Sequence, residues 1–253
     1  MANRLRQVQA IVQFFVLLSG VAIAIGACQI HLSVGEPRFE LGRSPIRILF
    51  VGNSLTYYNG GIDHHLKKLE PSLQIQSVSE PGYSFKDHAR SEATLNTIRG
   101  GNWTYVILQD QSQLPVINPS FTEYYAKVLN QEIRRSGAEP VLMMTWERQD
   151  SLAQGVTTKN LSTAYGTLGA TLDARVAPVG LAFGLSRQAW PLLELAAPDA
   201  HPTLYGTYLA ACVLYGFLLE RNPVGNPYRD ADISADIAAY LQRRAAETLG
   251  YED

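Results

Sequence analysis

From Arg47 onward the chain alternates between short apolar runs and longer stretches with one apolar face. Arg47–Val51, Leu73–Val78, Tyr105–Leu108, Pro140–Thr145 and Val176–Leu181 read as buried strands bounded by turn formers. Between and after them, Ile62–Leu69, Phe121–Arg135, Leu161–Arg175, Leu204–Leu219 and Ala235–Leu249 read as helices. In Phe121–Arg135 the apolar positions Phe121, Tyr124, Tyr125, Val128, Leu129 and Ile133 share one face, and Gly137 marks the end. Leu204–Leu219 is apolar almost throughout and is expected to pack deep. Ala235–Leu249 is amphipathic, with Arg243 and Arg244 facing water. This alternation predicts an α/β domain over residues 45–253: a five-stranded parallel sheet with helices on both faces. Ligands of such sheets bind beyond the carboxyl ends of the strands.

The N-terminus breaks the pattern. Met1–Gln9 carries Arg4 and Arg6 and no acid, and Ala10–Ala27 is apolar except for Gln13 and Ser19. These are the charged and hydrophobic regions of an export signal. The run closes with Ile25-Gly26-Ala27-Cys28, and small residues before a cysteine resemble the lipobox of bacterial lipoproteins. In those proteins the chain is cut just before the cysteine and the thiol is acylated. The expectation is a lipoprotein-type signal peptide over residues 1–27, lipidation at Cys28 and a polar tether over 28–44 with Gly35, Pro37 and Gly42. The protein would then be exported and membrane-anchored in the cell envelope. An ordinary cleaved signal or an uncleaved anchor of marginal spanning length are the alternatives.

Composition narrows the classes. With 253 residues and 46% hydrophobic content, the chain can bury a sizeable core. A formal net charge of -2 leaves no basic field for nucleic acid. There are 2 cysteines, so with Cys28 lipidated Cys212 has no disulfide partner. Cys212 lies in the apolar stretch TYLAACVLYGFLL and reads as a small core residue.

The stretch RILFVGNSLTYYNGG holds the first chemical signal. A buried strand stops in a Gly-Asn corner with Ser54 at its tip, where a nucleophile would sit or where a helix would merely be capped. A serine nucleophile needs a base, and the base an orienting group. Of the 5 histidines, His201 lies in APDAHPTLYGTYLAA, two residues after Asp199 and just before the deep helix. Residues two apart in an extended segment project to one side, so Asp199 can reach the His201 ring if Ala200 is extended. Pro202 favours an extended His201 before it. Glu194, upstream in PLLELAAPDA, is the rival carboxylate. Candidate oxyanion donors are the Ser54 N–H, the backbone N–H of Gly82 in SEPGYSF and the side-chain amide of Gln111 in VILQDQSQLP, with Gln109 as competitor.

Together these motifs resemble the SGNH (GDSL-like) hydrolases, in the branch beginning G-N-S-L-T, over roughly residues 46–219. The resemblance implies a three-layer α/β/α, flavodoxin-like fold. It places the nucleophile at Ser54, an oxyanion glycine at Gly82, and a base and its partner at His201 and Asp199. Two blocks depart from the family. Gln109-Asp110-Gln111-Ser112 stands where the family has Gly-x-Asn-Asp, which puts Gln111 at the donor position. The Asp-x-His spacing is one residue shorter than the family's Asp-x-x-His.

The expected function is an exported serine esterase acting on a carbohydrate O-acyl or other small acyl ester, with no metal and no organic cofactor. The alternative is a lipid-anchored binding protein on the same fold with weak or lost catalysis. Substrate and membrane are the expected partners. His64 and His65 suggest a metal, but adjacent helical residues diverge and they read as a solvated face. Trp146 and the pair Tyr57-Tyr58 read equally as a floor for the substrate or as rim packing.

Overall fold

The structure, a computed structural model, describes residues 45–251; the expected signal peptide, Cys28 and the tether lie outside the described residues. β1 (Arg47–Gly52) runs through α1 (Ser54–Tyr57), a 3-10 turn (Tyr58–Gly60) and α2 (Ile62–Leu69) to β2 (Gln74–Ser79). α3 (Phe85–Arg90) and α4 (Glu92–Gly100) lead to β3 (Tyr105–Leu108). α5 (Leu114–Ile117) and α6 (Pro119–Arg135) lead to β4 (Glu139–Met143). A 3-10 turn (Gln149–Gln154) and α7 (Thr158–Leu172) precede β5 (Arg175–Ala177). α8 (Val179–Ala189), α9 (Leu204–Leu219) and α10 (Ala235–Leu249) close the fold.

The five strands form one parallel sheet in the order β2-β1-β3-β4-β5. β1, β3 and β4 alternate their side chains between two cores, which is why their sequences are nearly continuously apolar, whereas the edge strand β2 (QIQSVS) is half-exposed. Ile48, Phe50, Ile107, Val141 and Met143 pack on one side against α2, α8, α9 and α10. Leu49, Val51, Val106, Leu108 and Leu142 pack on the other against α3, α4, α6 and α7. α9 is buried over most of its circumference, from Gly206 to Gly216, so it needs no polar face. Among the described residues no helix is long and apolar enough to cross a membrane.

Register places the candidate site. Val51 pairs with both Val78 and Leu108, and Leu108 with Leu142, so β1, β2, β3 and β4 end in step. The chain leaves β1 toward β2 and leaves β3 toward β4, which opens a crevice above the β1/β3 pair.

Two elements depart from the sequence reading by three residues or more at a boundary, and β1, β2, β4 and α6 by one or two. The run expected to be strand through Leu181 stops at Ala177, because Pro178 has no N–H for the ladder and serves as the cap of α8. The helix expected over Leu161–Arg175 runs from Thr158 to Leu172. Thr157 caps its start by accepting from the Asn160 N–H, and Asp173 ends it at φ +51°.

Candidate active site

The buried end of β1 delivers Ser54 to this crevice. A Cβ on Gly52 would lie 2.5 Å from Thr56 Oγ1 and 2.7 Å from Gln109 Oε1, so the corner admits only glycine. Gln109 is buried. Its Oε1 accepts from the Asn53 N–H and from Thr56 Oγ1, both at 2.9 Å, and its amide donates to the Asp110 carbonyl. It is therefore a brace between β1 and β3, which leaves Gln111 facing the crevice. Asn53 Oδ1 accepts from the Leu55 N–H at 3.1 Å and caps α1, while its Nδ2 donates to the Tyr83 carbonyl at 2.8 Å. Ser54 thus sits between the loop after β2 and the loop after β3.

His201 meets Ser54 from the far end of the chain. Its Nε2 lies 2.9 Å from Ser54 Oγ, and its Nδ1 lies 2.9 Å from Asp199 Oδ2. The second Asp199 oxygen accepts the His201 backbone N–H at 3.2 Å. A carboxylate beside Nδ1 makes that nitrogen the donor, so Nε2 is left to accept from the serine hydroxyl. These donations from His201 hold the Asp199 carboxyl below the usual carboxylate range. Glu194 is exposed and contributes only its backbone carbonyl, which accepts from Thr203 Oγ1.

The short Asp-x-His spacing works by a different geometry from the one the sequence suggested. Ala200 is not extended; it lies at φ +73°. The Ala200 N–H donates to the Ala197 carbonyl and the Ala197 N–H to the His201 carbonyl, both at 2.8 Å. A tight turn followed by a left-handed residue brings Asp199 and His201 to the same side. Left-handed backbone costs an L-residue roughly 1–2 kcal/mol. Two features offset it. Ala200 is 2% exposed, and its carbonyl accepts from the indole N–H of Trp146 at 3.0 Å. Trp146 is therefore neither a substrate floor nor a rim residue. It is buried, stacked on Phe183 with centroids 4.3 Å apart, and it anchors the turn.

Asn53, Ser54, Leu55, Gly82, Gln111, Ser112, Arg148, Asp199 and His201 line one pocket of about 130 Å³. Gln111 Oε1 accepts from the backbone N–H groups of Gln113 at 2.8 Å and Leu114 at 3.2 Å. Its amide NH₂ is thus the end left to donate. The sequence places Arg148 and Ser112 after strand ends at the border of the cleft but gives neither a role in the site. Arg148 donates through Nη1 to Ser112 Oγ at 2.9 Å and grips Asp150 through Nε and Nη2 at 2.9 and 2.6 Å. That grip holds the Asp150 carboxyl at about 2. Beneath the pocket, buried Asp110 accepts from the N–H groups of Phe85 and Gln111 at 2.8 Å and from Thr122 Oγ1 at 2.9 Å. Burial outweighs these donors and raises its pKa to about 6.

The other described histidines, His64, His65 and His88, lie outside this pocket. His64 is exposed, but His65 is buried rather than part of a solvated face, between the Asn59 carbonyl on Nε2 and the Tyr228 hydroxyl on Nδ1. His88 is buried between the Gly52 carbonyl and Thr94 Oγ1. Among the described residues no group of three His, Cys, Asp or Glu side chains could hold a metal ion. Cys212 is buried in α9, and burial pushes its thiol up to about 12.

No protein-family model and no curated protein matches the chain. Solved structures do. A protein from Slackia heliotrinireducens described as an SGNH hydrolase is 25% identical over 69% of this chain and 100% of its own, with a TM-score of 0.62. A DUF4886 family protein from Bacteroides uniformis is 17% identical over 81% of this chain and 95% of its own, with a TM-score of 0.68. An esterase from Pseudoalteromonas, inhibited by monoethylphosphonate, is 14% identical over 69% of this chain and 97% of its own, with a TM-score of 0.52.

Proposed function

We propose that the chain, which shares the fold of solved SGNH (GDSL-like) hydrolases, is a serine esterase for short acyl esters, with Ser54 as nucleophile, His201 as base and Asp199 as the group that orients the base. The observation that carries this reading is the 2.9 Å contact between Ser54 Oγ and His201 Nε2, with Asp199 on the other ring nitrogen. Ser54 Oγ attacks the ester carbonyl carbon while its proton passes to His201 Nε2. The oxyanion that forms accepts from the Ser54 N–H, the Gly82 N–H and the Gln111 amide, all on residues lining the pocket. Collapse breaks the bond to the alcohol oxygen, which leaves with the proton from His201. Water then attacks the acyl-Ser54 carbonyl with His201 again as base, releasing the acid and restoring the serine. A pocket of only about 130 Å³ suits a short acyl group, such as one carried on a carbohydrate hydroxyl, rather than a long chain.

The chemistry is tested with a fluorophosphonate probe, a reagent class matched to the phosphonate that inhibits the Pseudoalteromonas esterase. Wild type becomes labelled and hydrolyses p-nitrophenyl acetate, whereas Ser54→Ala does neither; removing a triad member costs on the order of 10⁴–10⁶ in kcat. Equal turnover by Ser54→Ala sinks the reading.

Export and lipidation at Cys28 belong to the same proposal, supported by Arg4, Arg6, the apolar run to Ala27 and the small residues before the cysteine. More than one acyl chain gives stable membrane residence. Cys28→Ser then leaves an unlipidated precursor. Unchanged incorporation of radiolabelled fatty acid in that variant refutes the anchor.

A further inference from the structure

The segment Tyr57-Tyr58-Asn59-Gly60-Gly61 takes no part in the steps above, yet its backbone is unusual. Asn59, Gly60 and Gly61 have φ of +50°, +84° and +87° in succession. A Cβ on Gly61 would lie 2.3 Å from Asp63 Oδ1. The bend is held by the His65 ring, whose Nε2–H donates to the Asn59 carbonyl at 3.1 Å. Its effect is to set Tyr58 and Asn59 against the chain segment that carries His201. The Tyr58 ring lies flat on the imidazole, with centroids 4.0 Å apart and planes 19° from parallel. Asn59 Nδ2 donates to the Pro202 carbonyl, and Thr207 Oγ1 donates to the Tyr58 carbonyl at 3.3 Å. Tyr58 is 41% exposed, so burial in a core does not explain where its ring lies.

We propose that Tyr58 is a positioning residue for His201: its ring holds the imidazole plane so that Nε2 points at Ser54 Oγ, and it supports the imidazolium formed when His201 takes the serine proton. The proposal rests on the reading of Ser54 and His201 given above. The need for such a residue follows from Asp199, whose side chain is 65% exposed. Water competes for that carboxylate, so its hydrogen bond to Nδ1 restrains the ring less than a buried partner does. Ring stacking restrains the imidazole from its face instead. The face of a tyrosine ring is negative, and a cation over it is attracted more than a neutral ring. The contact is therefore stronger after proton transfer than before. It acts on kcat rather than on KM.

The test compares the full-length protein with Tyr58→Phe, Tyr58→Leu, Tyr58→Met and Ser54→Ala on p-nitrophenyl acetate, with melting temperatures measured in parallel. Tyr58→Leu and Tyr58→Met are expected to lower kcat by roughly 3- to 10-fold, the worth of a stacked aromatic pair, with KM unchanged. Tyr58→Phe is expected to restore most of the loss, because it keeps the ring and drops only the hydroxyl. Wild-type kcat in both non-aromatic variants overturns the proposal. So does an equal loss in Tyr58→Phe, which would give the role to the hydroxyl. A raised KM at constant kcat also overturns it, since Tyr58 would then be a substrate contact. If Ser54→Ala turns over as fast as wild type, the hydrolase reading fails and this proposal with it. If Ser54→Ala is dead and the Tyr58 variants are unaffected, only this proposal fails.

Discussion

Replacing Asp110 with asparagine should remove one contribution to the pH dependence of stability, in one window and in a stated direction. Asp110 is fully buried beneath the pocket, and burial raises its carboxyl from 3.8 to about 6. In the unfolded chain it titrates near its ordinary value. Below pH 3.8 both states hold the proton and the group adds nothing to the pH dependence. As pH rises from there toward 6, the unfolded state ionises while the folded state stays protonated, so stability falls. Above pH 6 both are ionised and the loss is complete. A shift of about two pH units corresponds to roughly 3 kcal/mol. Other carboxyls act in the opposite sense: those of Glu70, Asp87 and Glu132 lie below their ordinary values and lose their stabilising effect in acid. The variant isolates the Asp110 contribution. Asparagine keeps one carbonyl oxygen for the Phe85 and Gln111 N–H groups and cannot ionise. Urea unfolding of wild type and Asp110→Asn, followed by circular dichroism at pH 4 and pH 7.5, reads the difference. Relative to Asp110→Asn, wild type should lose roughly 2–3 kcal/mol of stability between the two pH values. A difference that does not change with pH, or that changes in the other direction, refutes the reasoning.

Gln111→Ala should lower kcat by roughly 10²–10³ with little change in KM, because an oxyanion donor acts mainly in the transition state; steady-state kinetics on p-nitrophenyl acetate check it. Trp146→Phe preserves an aromatic ring against Phe183 but strips the N–H from the buried Ala200 carbonyl, which should cost about 1–3 kcal/mol in a denaturation experiment. Ala200→Val places a β-branched residue at φ +73° in a site with no room, so melting temperature and kcat should fall together.

What the sequence could reveal depended on how local each cause was. Ser54 was legible because a buried strand that ends in Gly-Asn-Ser announces both a tight corner and a hydroxyl at the sheet's edge. α9 was read with its observed bounds, since Thr203 caps it by accepting from the Gly206 N–H and its apolar run is long. α8 was not, because Val179–Ala189 continues the apolar run of β5 with no helical period, and only Pro178 separates them. α3 carried a readable signal that went unread: Ser84 and Asp87 form a capping box. The pose of Ala200 had no local signature at all. Alanine ordinarily avoids φ +73°, and the indole that holds it is 54 residues away in the chain. His65 was misjudged for the same reason, its partner Tyr228 being 163 residues distant. The Asp199–His201 approach depended on that unreadable turn, so the residue types could be named from sequence while their geometry could not.

The separation of 147 positions between Ser54 and His201 also imposes an order in time. A chain that emerges from its N-terminus presents Ser54 while β3, β4 and β5 are still to come. The segment that carries His201 is docked by Trp146, by Tyr58 and Asn59 and by α9, and the last of these exists only when the chain has appeared as far as Leu219. Domains of this kind assemble as units. On the roles proposed for Ser54 and His201, an unfinished chain therefore carries the serine without its base, and its hydroxyl stays no more reactive than any other. Hydrolytic capacity arrives with completion of the fold, so ester turnover or phosphonate labelling doubles as a clock for the last step of assembly.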